Sequence, residues 1–250
     1  MIEPYYASAL VELYLGDCRE VLPTLGRTFD ATVCDPPYGS TPLAWDRWPT
    51  GWTQAVAETT SSMWCFGSLR VFMVRTDEFA QAGWRLSHDS VWEKNTGSGF
   101  QTDRLRCVHE QMAHFYRGRW DEIYHKVPRV PSQQPHQGRA VRQRGSSVHT
   151  NGITSGGWVE DGTRMQRSVI YAPSMRGRAI HPTEKPVPVL TPLIEYAVAS
   201  GGVVLDPMAG SCSTAVAAGL IGRRAVCIEA DEAMCERAAQ RLGSVCATDV

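Results

Sequence analysis

Short apolar runs alternate with amphipathic stretches along most of this chain. Residues 11–15 (Val-Glu-Leu-Tyr-Leu) alternate toward Gly16-Asp17 and predict a strand. Asp17 is a good N-cap for a short helix over 18–25, and the run 29–34 reads as a buried second strand, so the chain opens β-α-β. Residues 52–66 carry a helical pattern that Gly67 could stop; 69–75 then read as a third strand and 77–82 as a helix closed by Gly83. Strands follow at 86–92 and 111–116, the latter expected antiparallel at one end of the sheet. After a long irregular stretch, order returns with a helix over 187–199 and a continuously apolar, parallel-type strand at 203–206. A small-residue loop, a helix to Leu220, a strand at 224–229 and a helix over 231–242 complete the pattern, with no internal repeat. The class is α/β.

The interruption lies between 117 and 178, rich in Pro, Gln, Gly, Ser and His and almost without apolar periodicity. Between 117 and 144, seven basic residues face only Asp121 and Glu122, a local net of +5 in a chain whose total is −1. A basic, pattern-poor insertion suits docking to a nucleic-acid backbone, with Arg139, Arg142 and Arg144 as candidate phosphate contacts. The division is therefore 1–116, 117–178 and 179–250. Length and an apolar content of 43% allow one large α/β domain with an insertion. Eight cysteines without a C-x-x-C pair suggest buried thiols of a reducing compartment, neither a disulfide frame nor a metal site. No apolar run is of membrane-spanning length, and the expected location is cytoplasmic.

Two stretches carry candidate chemistry. Asp35-Pro36-Pro37-Tyr38 follows the strand at 29–34, where open α/β sheets bind ligands. Asp35 could accept one N–H of an exocyclic amine and the Pro36 carbonyl the other, while Pro37 stiffens the turn and Tyr38 stacks on the ring. The second stretch, 203–229, is strand, loop, helix and a strand ending in Glu229, 19 residues after Gly210. That is the arithmetic of a nucleotide-binding unit whose acid meets ribose hydroxyls. With Gly210 alone in the turn, a cofactor with an adenosine and no phosphate, such as S-adenosylmethionine, fits better than a dinucleotide.

Asp35-Pro36-Pro37-Tyr38, then His181-Pro182-Thr183-Glu184-Lys185-Pro186, then Asp206-Pro207-Met208-Ala209-Gly210-Ser211 together resemble the amino-group DNA methyltransferases of the permuted β class. Trp92-Glu93-Lys94-Asn95, His109-Glu110 and Tyr38-Gly39 followed by Trp45-Asp46 resemble features of its phage and prophage members. The resemblance covers most of the chain outside 117–178. It implies a Rossmann-like sheet with helices on both faces, and transfer of a methyl group from S-adenosylmethionine to an exocyclic amine of double-stranded DNA. N6 of adenine is favoured, because cytosine-N4 members more often have Ser in place of Asp35. It further implies that Asp206, Pro207, Ala209, Gly210 and Ser211 line the cofactor's methionine and ribose portion. Asp17 would contact the adenine, and Thr183 and Lys185 would lie near the methionine end, Lys185 able to pair with its carboxylate. Met208 and Cys212 depart from the family's usual Phe and Gly. Methylation of cytosine N4, of RNA or of a small amine, and a catalytically silent DNA-binding module remain open at this stage, as does a homodimer.

Overall fold

The computed structural model describes residues 2–98, 102–132, 161–175, 177, 179–181 and 183–246. The chain forms two compact units, Met1–Lys126 with Arg167–Val250, and Val127–Gln166. The larger unit is built on a mixed sheet. In chain order its strands are β1 (Tyr6–Ala7), β2 (Val11–Leu15), β3 (Ala31–Cys34), β4 (Ser62–Gly67), β5 (Arg85–Ser98) and β6 (Cys107–Tyr116). In the smaller unit, β7 (Arg129–Pro131) and β8 (Thr163–Met165) pair antiparallel. The large sheet is completed by β9 (Val169–Tyr171), β10 (Val203–Asp206) and β11 (Arg224–Glu229), in the order β1-β2-β11-β10-β3-β4-β6-β5-β9.

From β2 to β4 every pairing is parallel. Such strands are covered on both faces, and their side chains sort accordingly. Along β4, Trp64 and Phe66 enter one core while Met63 and Cys65 enter the other. Val204 and Leu205 of β10 divide in the same way. Helices α1 (Cys18–Leu25), α2 (Trp52–Ala57) and α3 (Leu69–Gln81) cover one face, through residues such as Leu22, Trp52 and Phe79. The other face is covered by α4 (Val187–Ala197), α5 (Ser213–Leu220) and α6 (Glu232–Cys246), through Ile194, Ala215 and Cys235. The α/β sheet with helices on both faces is as expected.

Three expectations need correction. The helix expected over 52–66 ends at Ala57, and Ser62–Gly67 is the strand β4. All six β4 residues are buried, so their apolar run has no period that separates strand from helix. The strand expected at 69–75 is instead the first half of α3. Ser68 caps that helix by accepting the Val71 N–H at 3.3 Å, and Leu69, Met73 and Val74 face solvent, so the apolar run is not a core strand. Within 117–178, β9 joins the main sheet, pairing parallel with β5. Three residues are too few to show a period.

The chain leaves β3 toward β4 on one side and β10 toward β11 on the other, while β3 and β10 pair directly (Val204 with Ala31, Leu205 with Thr32). Neighbouring connections that diverge in this way open a crevice at the carboxyl ends of the two strands.

Candidate functional site

The crevice is lined by Asp35 beyond β3, Phe66 near the end of β4, His181, Thr183 and Lys185 before α4, and Asp206 with the 208–211 loop beyond β10. Seven of the expected site residues meet there: Asp35, Thr183, Lys185, Asp206, Ala209, Gly210 and Ser211.

Asp35 stands at the centre. The Tyr38 hydroxyl donates to its Oδ1 at 2.6 Å, and the Lys185 ammonium pairs with its Oδ2. Burial pushes the Asp35 carboxyl above its ordinary range, against the pull of Lys185. For Lys185 burial acts to lower the pKa, but Asp35 and Glu110 together hold it above the usual lysine value. Lys185 is 7% exposed; it also reaches the Thr183 carbonyl at 3.3 Å and lies over the Phe66 ring at 5.1 Å. Lys185 thus faces Asp35, where the resemblance aimed it at a cofactor carboxylate. Tyr38, expected to stack, here spends its hydroxyl on Asp35. The turn beyond it is pinned by buried Asp46, which accepts the Gly39, Ser40 and Thr41 N–H groups at 2.8, 2.9 and 2.6 Å.

At the end of β10, the carboxylate of Asp206 is buried and accepts from Thr214 Oγ1 at 2.6 Å and from the Met208 N–H at 3.3 Å. Burial outweighs both hydrogen bonds, and the Asp206 pKa is pushed up to about 7. Gly210 turns with φ +49° and donates its N–H to Glu229 Oε2 at 2.7 Å. Glu229 Oε1 accepts from Asp231 N at 2.9 Å, so the acid at the end of β11 is fixed by backbone on both sides. Each oxygen keeps a lone pair for a further donor. Cys212, at the position where the resembled family more often has Gly, takes the left-handed conformation (φ +56°) and is fully buried. A Cβ is therefore accommodated, at about 1–2 kcal/mol of local strain.

The remaining expected residues lie at the margin or outside it. Asp17 caps α1, accepting the Arg19 N–H at 2.9 Å and pairing with the Arg19 guanidinium at 2.5 Å. Its neighbour Gly16 donates to the Glu229 carbonyl at 2.9 Å, which places the end of β2 beside the end of β11. Pro36, Pro37 and Pro207 lie in the turns that directly follow Asp35 and Asp206, at the margin of the crevice. Arg139, Arg142 and Arg144 fall outside the described residues.

Other contributors had no role assigned from sequence. Glu184 is buried, paired with Arg241 at 3.1 Å; Arg241 also donates to the Ser211 carbonyl at 2.9 Å and Ser213 Oγ at 3.1 Å, joining the 181–186 segment to the 206–211 loop. The His181 and Trp45 rings meet 5.6 Å apart. Glu110 binds Lys94 and approaches Lys185 at 3.4 Å; burial alone would raise its pKa, but the two ammonium groups hold it below the usual range. Among the described residues no cluster of His, Cys, Asp and Glu suits a metal ion, and no helix is long and apolar enough to cross a membrane.

Comparison with known proteins adds three findings. The N6/N4 methyltransferase family model, described as DNA methylase, matches residues 29–241. "Putative methylase YubD" of Escherichia coli (strain K12) is 51% identical over 69 residues, 28% of this chain and 30% of that protein, so the match spans less than a third of that relative. Among solved structures, M1.HpyAVI in complex with SAM superposes with a TM-score of 0.63 at 18% identity, over 93% of this chain and all of the other. The PvuII DNA methyltransferase (cytosine-N4-specific) gives the same TM-score at 12% identity, over 97% and 93% of the two chains.

Proposed function

The chain belongs to the DNA methylase family, and on that premise we propose that it transfers a methyl group from S-adenosylmethionine to an exocyclic amine of a base in duplex DNA. The observation that carries this reading is the meeting of Asp35 and the Asp206–Ser211 loop in one crevice at the diverging ends of β3 and β10.

The residues present suit the cofactor. Glu229, held by two backbone N–H groups, has acceptor capacity left for ribose hydroxyls. Asp206 offers a buried carboxylate to a cationic ligand, and the Gly210 turn lets backbone approach it closely. S-adenosylmethionine, when bound, supplies an activated methyl group. The chain's own work is to hold the amine. A base inside a duplex is out of reach, so it must be flipped toward Asp35. There the Asp35 carboxylate accepts one amine N–H and the Pro36 carbonyl the other, turning the nitrogen lone pair out of conjugation with the ring. A carboxyl made more basic by burial is a stronger acceptor for an N–H that grows acidic during transfer. Catalysis is then positioning and electrostatics.

Adenine N6 is our preferred target, on the strength of Asp at position 35. Cytosine N4 is the second reading, since the cytosine-N4-specific PvuII enzyme shares the fold to the same TM-score. For DNA contact we assign the 117–178 segment, through Arg139, Arg142 and Arg144. The test is incubation with labelled S-adenosylmethionine and mixed-sequence duplex DNA, followed by digestion to nucleosides. Labelled N6-methyl-2′-deoxyadenosine supports the first reading and labelled N4-methyl-2′-deoxycytidine the second. No labelled nucleoside on any duplex overturns both.

A further inference from the structure

Lys185 sits between two carboxylates that it does not treat alike. It is ion-paired and hydrogen-bonded to Asp35 Oδ2, and ion-paired more loosely, at 3.4 Å, with Glu110 Oε2. That Glu110 oxygen is buried and makes no hydrogen bond, which is costly for a carboxylate unless a donor is close at hand. Lys94 holds the other Glu110 oxygen, Oε1. Glu110 stands on β6 directly across from Trp92 on β5, and Lys94 lies over the Trp92 ring at 4.6 Å, so both partners are fixed by the hairpin. The group as a whole, two carboxylates and two ammonium ions, is neutral.

In the functional reading above, Asp35 must receive an amine N–H. An ammonium on Oδ2 drains the charge that makes the carboxylate a good acceptor. We propose that Glu110 is a positioning residue, the second seat of Lys185: when the target amine reaches Asp35, the Lys185 ammonium moves onto Glu110 Oε2 and leaves Asp35 with its full negative charge. The movement is small. Nζ need only turn about the end of its side chain, and the Thr183 carbonyl and the Phe66 ring stay within reach of a lysine held on either side. Nothing leaves the site and no covalent bond changes; one buried carboxylate hands a cation to another. A merely structural Glu110 would anchor Lys94 and the hairpin, with no bearing on Lys185.

This inference rests on the methyltransfer reading, so parent turnover on duplex DNA is measured first; a silent parent would overturn that reading and the inference built on it. With an active parent, Glu110→Gln removes the anionic seat and leaves Lys185 on Asp35. The expected result is a fall in kcat of at least about tenfold, the scale of one misplaced charged hydrogen bond, with cofactor Kd and duplex KM within about threefold of the parent. Adding Lys185→Met removes the ammonium from Asp35 but also favours its protonated form, so rates are compared over a pH series. At its alkaline end the double variant should turn over at least about threefold faster than Glu110→Gln alone. Purely structural damage would not be repaired by a second buried substitution. The inference is overturned if Glu110→Gln matches the parent in kcat, or if the double variant is no faster than the single one at that alkaline end. Should Glu110→Gln fail to fold, judged by lost cofactor binding, Glu110→Asp with and without Lys185→Met takes its place. Aspartate keeps a charge for Lys94 while drawing the free oxygen away from Lys185, and the same two outcomes decide.

Discussion

On the proposed reading, Asp206 should make S-adenosylmethionine binding tighter as pH rises. Its carboxyl is 5% exposed and its pKa is pushed up to about 7 by burial. At pH 7 the free protein therefore carries about half a proton on it, and at pH 6 only about a tenth of the molecules have it ionised. S-adenosylmethionine brings a sulfonium and an ammonium, and positive charge nearby favours the ionised carboxylate. Binding then expels the proton, and a ligand that releases a proton binds more tightly as pH rises. If the bound-state pKa lies well below 6, the ionised fraction alone sets the trend. Affinity should increase about tenfold from pH 6 to pH 8, about 1.4 kcal/mol, and level off above. Titration calorimetry at pH 7 in buffers of low and high ionisation enthalpy should report release of about half a proton per cofactor bound. Asp206→Asn keeps the shape, with its amide able to serve Thr214 and Met208, but has no proton to lose. It should bind more weakly, and the part of the pH dependence and proton release due to Asp206 should vanish. Buffer-independent heats in the parent, or a proton release that survives Asp206→Asn unchanged, would refute the assignment of Asp206 to the cofactor's cationic end.

Three further outcomes are expected. Asp35→Ala should lower turnover at least about a hundredfold with cofactor Kd nearly unchanged, and turnover within a few-fold of the parent would remove Asp35 from the chemistry. Glu229→Ala should weaken cofactor binding by roughly 1.5–3 kcal/mol, the cost of losing a charged acceptor, which the same calorimetry measures. Replacing Arg139, Arg142 and Arg144 together with Ala should weaken duplex binding across sequences and flatten its salt dependence by about 0.9 log units for each phosphate no longer neutralised; isotherms that overlay the parent at several salt concentrations would deny the segment that role.

What could be read from sequence followed from how local each signal is. The ends of β3 and β10 were legible because an apolar run and the polar turn that stops it are adjacent in the chain: Cys34 before Asp35-Pro36, Leu205 before Asp206-Pro207. Glu229 was legible by its spacing from Gly210, and the two do bond. The run from 52 to 75 misleads because β4 is buried on both faces and α3 opens with apolar residues that face solvent. Phe66 is hidden inside that run. Glu110 carries no task that its neighbours in sequence reveal, since its place beside Trp92 and Lys94 depends on the register of β5 against β6. That register shifts twice, between Leu86 and His88 and between Glu93 and Ser98, and no local pattern announces such a shift. Lys185 faces Asp35 because of a pairing across 150 residues of sequence, which only the folded chain reveals.

The pairing of β3 with β10 has a consequence for the order in which the molecule is made. Asp30 accepts the Val203 N–H at 2.7 Å across 173 residues of intervening chain, and the crevice exists only where these two strands lie side by side. Closing so long a loop is entropically expensive and comes late relative to the local β-α contacts on either side. During synthesis Asp35 is therefore exposed for the whole time needed to make the middle of the chain, with no Asp206 to face and no Lys185 to neutralise it. On the proposed reading, a nascent chain that stops short of β10 would carry the Asp35 turn without the Asp206–Ser211 loop assigned to the methyl donor. Competence should then arrive only late, once β10 has docked beside β3 and β11 has brought Glu229 to the Gly210 turn.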